Sequence, residues 1–175
     1  MRETLKKISI RGRFAFCLAC LRNAMRQENV NIESLSILFE RMSSFLTTDK
    51  LDEWEKQIVD VSPDTIFDTH PDNDFNDYET VTATELVRLK AIYEKIPSAI
   101  TELIDLIISV GLSNLYGGTS DYSPHSLAPT LKVIELMDSH NYELPLLQQF
   151  SRYSFTDNNG WGFPLDPKSE LLQRE

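Results

Sequence analysis

Apolar residues recur along this chain at three- and four-residue spacing, the period of a helix that buries one face. Phe14, Cys17, Leu18, Leu21 and Met25 form the first stripe. Leu35, Leu38, Phe39, Met42, Phe45 and Leu46 form the second, which Asn31 is placed to cap. Leu51, Trp54, Ile58 and Val61 form a third, entered through Thr48-Asp49 with acids in its first turn, where they complement the helix dipole. Ser62-Pro63-Asp64 reads as a cap followed by proline at the first helical position, and predicts a short helix ending near Phe67.

A loop rich in Asp and Asn follows, from Thr69 to Thr80. Thr82-Ala83-Thr84-Glu85 is a capping box, opening a helix striped by Leu86, Leu89, Ile92, Tyr93 and Ile96. Pro97 ends that helix and Ser98 is placed to cap the next. The segment from Ala99 to about Leu112 is apolar nearly all round, which marks a central, buried helix. Beyond a polar loop from Tyr116 to Pro124, Leu127, Leu131, Ile134 and Met137 mark another helix, and Leu144 to Phe150 a shorter one.

From Phe155 the chain reads as irregular, and no run alternates with the period of a strand. The pattern predicts an all-α fold: one helical domain over residues 1–175, with about seven to eight helices in an irregular bundle or short superhelix. Residues 153–175 are expected to form an irregular tail packed on the body.

Composition sharpens this in one respect. With 175 residues, 41% hydrophobic, the chain can bury a sizeable core. Its net charge of −10 is unevenly placed. Residues 1–27 carry seven basic side chains (Arg2, Lys6, Lys7, Arg11, Arg13, Arg22, Arg26) against the single acid Glu3, and the rest of the chain holds 26 acids and 10 bases. An acidic body argues against nucleic acid as a partner and fits a basic protein. No run approaches the ~20 apolar residues of a membrane span. The apolar stretch from Phe14 to Leu21 is too short for a secretory leader and lacks a small-residue cleavage site. A cytoplasmic location is expected.

Candidate chemistry is sparse. Cys17 and Cys20 form a CxxC, but no second pair completes a zinc site, and both lie on an apolar stripe; reduced, packed thiols are expected. Asp72-Asn73-Asp74-Phe75-Asn76-Asp77 imitates the opening of a calcium loop, but Asp77 and Ala83 stand where the loop needs Gly and Glu. No nucleophile elbow, phosphate loop or HExxH appears, so no catalytic residue, cofactor or metal is assigned.

The most unusual feature is residues 57–87, which hold eight acids and no Lys or Arg. A solvated loop beside acidic helix starts would account for it. A docking surface for a basic protein would too, with complementary charge speeding encounter and aromatics anchoring the contact. The candidate partner-binding residues are Asp64, Asp68, Asp72, Asp74, Phe75, Asp77, Tyr78 and Glu79.

The closing segment Ser154-Phe155-Thr156-Asp157-Asn158-Asn159-Gly160-Trp161-Gly162-Phe163-Pro164-Leu165-Asp166 resembles an NGWG-x-P-x-D element of small bacterial immunity-type proteins, which neutralise toxins of polymorphic or contact-dependent systems. The resemblance implies a non-catalytic inhibitor that covers a basic surface of a cognate toxin. It carries no functional residue onto this chain. In the element itself, Trp161 and Phe163 among turn residues would let the tail pin itself to the body. A helical adaptor or regulatory protein, and a metal-dependent enzyme with carboxylates converging from distant helices, are the alternative readings.

Overall fold

The computed structural model describes residues 1–68 and 78–166. Among these residues are eight α-helices: α1 (Arg2–Lys6), α2 (Ile10–Gln27), α3 (Ser36–Thr47), α4 (Leu51–Val59), α5 (Pro63–Asp68), α6 (Ala83–Tyr93), α7 (Ser98–Leu112) and α8 (Pro124–Ser139). No strand occurs among them; a lone antiparallel bridge joins Ile8 to Ser154. No helix of the described residues is long and apolar enough to cross a membrane.

The all-α architecture follows from the stripes. Helices α2, α7 and α8 pack on one another at the centre, and α3 and α4 pair beside them. The apolar α7 buries Ile100, Leu103, Ile104, Ile107 and Val110 completely. Gly111 lets the Trp54 ring lie against this helix, since a Cβ there would stand 2.5 Å from the ring. Trp54 also meets Phe14 and Phe45, and its indole N–H donates to the Arg41 carbonyl at 2.8 Å.

Several local expectations shift. The first stripe belongs to a longer helix than expected, starting at Ile10, and α1 precedes it. Asn31 caps a 3₁₀ turn, Ile32–Leu35, that leads into α3. Pro97, not Ser98, is the N-cap of α7. The segment from Leu144 shrinks to a 3₁₀ turn over Leu147–Phe150; Pro145 disfavours the helical conformation at Leu144, the residue before it.

The basic N-terminal segment is not simply a basic surface, because Arg11 and Arg13 are buried in the core. Arg13 ties α1 to the start of α8. Its Nε donates to the Leu5 carbonyl at 2.9 Å, and its Nη atoms donate to the carbonyls of Ser123 and Tyr122 and to the Ser126 hydroxyl. Burial lowers its pKa to about 10, which still leaves it charged at neutral pH. Arg11 donates to the carbonyls of Phe45 and Thr48 at the C-terminal end of α3, where a cation complements the helix dipole.

The closing segment straps these parts together. The amide N–H groups of Ser9 and Arg11 donate to the carbonyls of Tyr153 and Trp161, Phe155 N–H donates to Lys7, and Leu165 N–H donates to Leu46. Within the strap, Asn158 and Asn159 adopt left-handed conformations inside a 3₁₀ turn, Asp157–Gly160.

Candidate acidic docking face

Three elements bring the acidic stretch together: α5, the residues just before α6, and α6 itself, with α5 packing on both α6 and α7. The local sequence dictates α5. The Ser62 hydroxyl accepts from Thr65 N–H, and Pro63 occupies a position whose missing donor costs nothing. The Thr82–Glu85 capping box opens α6, with the Glu85 carboxylate accepting from Thr82 N–H at 2.8 Å.

The acids of this stretch divide into two kinds. Asp60 and Glu85 are occupied in holding the fold. Asp60 accepts from both the amide and the hydroxyl of Thr80, at 2.9 and 2.6 Å, and Glu85 serves its capping box. Asp64, Asp68 and Glu79 are exposed. Asp72, Asp74, Phe75 and Asp77 lie outside the described residues.

A base also enters from elsewhere in the chain. Arg41 of α3 donates to the Gln57 carbonyl and to the hydroxyl and carbonyl of Thr80. It is half-buried, held between α4 and the approach to α6, and lines an open recess of about 370 Å³ with Ile37, Glu40, Ser44, Gln57 and Thr80. Residues 57–87 contain no Lys or Arg, but this guanidinium, bonded to Thr80, offsets part of their charge.

The aromatic pattern differs from the expected one. Tyr78 is half-buried and packs on the core, its hydroxyl 3.5 Å from the Thr65 carbonyl. Phe67, which the sequence reading did not include in the site, is 46% exposed. One side of its ring rests on Tyr93, with centroids 6.3 Å apart. Tyr93 is itself fixed by a 2.7 Å hydrogen bond to the Val61 carbonyl. Asp64, Phe67 and Asp68 stand three and four positions apart on α5, so an aromatic ring lies beside two carboxylates on one helix face.

Asp64 has a second relationship. Its backbone N–H donates to the Asp105 carboxylate at 3.3 Å. Asp105 sits on the apolar α7 and is half-buried; burial first, and the neighbouring Asp64 charge as well, raise its pKa to about 7. Asp105 is one of two carboxylates on the otherwise mostly apolar α7; the other, Glu102, is exposed, whereas Asp105 is half-buried.

Cys17 and Cys20 are free and fully buried, and burial pushes Cys17 up to about 12 and Cys20 well above its ordinary value. Among the described residues no three His, Cys, Asp or Glu side chains converge to hold a metal ion.

No family model matches the chain, and no curated protein or solved structure matches it.

Proposed function

We propose that this protein is a non-catalytic binding protein that docks a basic protein partner on the face built by α5 and the approach to α6, and that the partner is a toxin it neutralises. The observation that carries the reading is the α5 face: exposed Asp64 and Asp68 beside the half-exposed Phe67, with Glu79 nearby in the same acidic stretch. Such a face offers a cationic side chain both a carboxylate and an aromatic ring. The acidic body draws a basic partner from a distance, and an aromatic anchor slows its departure. The toxin assignment rests on the closing element's resemblance to immunity-type proteins, together with size and acidity.

The test is functional. The product of the gene next to this one is expressed in a sensitive host, with and without this chain. Neutralisation is expected when the neighbour is a basic toxin. Loss of protection in an Asp64→Asn, Asp68→Asn, Phe67→Ala variant that still folds supports docking on α5. Full protection by that variant places the contact elsewhere. A neighbour that is neither toxic nor bound removes the toxin reading.

A further inference from the structure

The chain has six glycines, and four of them stand where a side chain would not fit. A Cβ at Gly12 or Gly111 would meet a neighbouring atom at 2.6 or 2.5 Å, and Gly160 and Gly162 have positive φ. Gly117 and Gly118 have neither reason. A Cβ on either would have no atom within 4 Å, and neither has a positive φ. Nor does their loop need slack. The buried Asn114 side chain donates to the Gly118 carbonyl at 3.0 Å, and the Thr119 hydroxyl donates to the Asn159 carbonyl at 2.6 Å. Two successive residues of bare backbone on the surface are what a second chain needs in order to come close.

Beside them stands Tyr116, 87% exposed. Its hydroxyl donates to the Glu55 carboxylate of α4, so the ring is held at its tip while its faces stay in water. Asp52, which is exposed, lies three positions before Glu55 on the same face of α4. Lys50 is taken up by Glu53 at 2.9 Å, and Lys56 pairs with neither Asp52 nor Glu55 among the described residues. An uncovered tyrosine pinned beside two carboxylates suits one kind of side chain above others. A guanidinium stacks flat on the ring and gives its fork to a carboxylate at the same time, whereas an ammonium is a point charge that serves one or the other.

We propose that Tyr116, Gly117 and Gly118, together with Glu55 and Asp52, form a contact site for an arginine carried on an extended segment of a basic partner protein. The arginine lies on the Tyr116 ring and pairs with the carboxylates of α4, and the segment's backbone passes over the two glycines. Because the ring is held before the partner arrives, binding spends little on ordering it. The site deepens the docking reading: it rests on the partner being basic, and adds a contact to the one on α5.

The experiment uses the full chain and a probe in place of the partner: a capped peptide of alternating glycine and arginine, and its lysine counterpart. Binding is followed by NMR at the Gly117 and Gly118 amides, the Tyr116 ring and the amides of α5. The arginine peptide should shift the Tyr116, Gly117 and Gly118 signals saturably and bind more tightly than the lysine peptide. Tyr116→Leu should weaken it about two- to fivefold and bring the two peptides level. Gly117→Ala combined with Gly118→Ala is the second variant. It should keep the melting temperature and the free-state Tyr116 ring signals of the wild type, since the fold leaves room for both Cβ atoms, yet weaken the arginine peptide likewise. Equal affinity for the two peptides overturns the proposal, as does an alanine pair that binds like wild type. Shifts confined to α5 overturn it too and leave the docking reading standing. Shifts at Tyr116 with none on α5 uphold it and remove the α5 face, so the two readings fall separately.

Discussion

Gly162 lies directly on Ser9, the N-cap of α2: a Cβ built on Gly162 would stand 2.5 Å from the Ser9 hydroxyl oxygen. The same glycine has a φ of +78°, which side chains rarely adopt. Gly160, at φ +89°, is equally tight against Phe155. The closing element is thus a strap whose glycines allow close approach to the body. Gly162→Ala should combine backbone strain with a clash and cost about 1–3 kcal/mol in urea unfolding. Removing the chain after Ser154 should lower the melting temperature and move Trp54 fluorescence, since Leu165 no longer holds Leu46 beside the core. An unchanged melting temperature would show the strap to be ornamental.

Arg13 and Arg11 should respond differently to changes in their surroundings. Arg13→Lys keeps the charge but cannot reach carbonyls on both α1 and the α8 approach, so buried acceptors lose their donors. A loss of about 2 kcal/mol or more in unfolding free energy is expected. Arg11 stands 3.7 Å from Asp49, which is 79% exposed. Water screens that pair, and Asp49→Asn should cost less than about 1 kcal/mol. Comparable losses in the two variants would mean that surface charge, not carbonyl satisfaction, holds the buried arginines.

The sign of the Asp105 effect on stability can be worked out from its direction. Its folded pKa is raised to about 7 from 3.8, so between those values the folded chain holds a proton that the unfolded chain has lost. The stability this confers is full below the unfolded value and disappears as pH rises through about 7. Full linkage over that shift would be worth about 4 kcal/mol, and partial exposure reduces it to about 1–2 kcal/mol. Asparagine at 105 can still accept from the Asp64 N–H but does not titrate, so Asp105→Asn should gain stability relative to wild type as pH rises from about 4 to about 8. An equal difference between the two proteins at about pH 4 and about pH 8, in chemical denaturation, would contradict the shift.

The buried thiols make a kinetic prediction. Cys17 and Cys20 should resist a maleimide or disulfide reagent in the native protein and react fully once it is unfolded. Raising the pH from 7 to 9 should barely speed native labelling, because burial keeps the thiolate scarce. Rapid labelling at pH 7 would contradict the packed arrangement.

What could be read from the sequence was what is local. The Thr82–Glu85 box, the Pro63 start and the apolar α7 are signals within a few residues, and the fold class follows from summing them. The buried arginines were not legible, because Arg13 finds Ser123 and Ser126 more than a hundred positions away. Charge counting therefore treated as a basic segment what is partly the interior of the fold. The acidic stretch was legible as a run of charge but not as a division of labour: nothing in sequence distinguishes Asp60, engaged with Thr80, from Asp68, open to solvent. Phe67 marks only the end of a short helix in the sequence, and the position of Tyr93 shows that one side of its ring is covered while the residue stays 46% exposed.

The partner prediction can now be made with residues whose roles differ. Charge that steers acts on association and is screened over roughly 8 Å at physiological salt, whereas a buried aromatic acts on dissociation. With a basic partner in hand, Asp64→Asn with Asp68→Asn should slow association and flatten its salt dependence. Asp72, Asp74 and Asp77 changed to Asn should do the same if the rest of the stretch contributes. Phe67→Ala should leave association nearly unchanged and speed dissociation by tenfold or more, about 1.4 kcal/mol. Asp60→Asn is not an equivalent probe, because it releases Thr80 and weakens the Arg41 tie before any partner arrives; it should lower stability first. Should Phe67→Ala and the paired asparagine variant both bind at wild-type rates across salt concentrations, α5 is a solvated edge. The next surface to test is then the loop at Tyr116, where a tyrosine 87% exposed donates to Glu55 of α4.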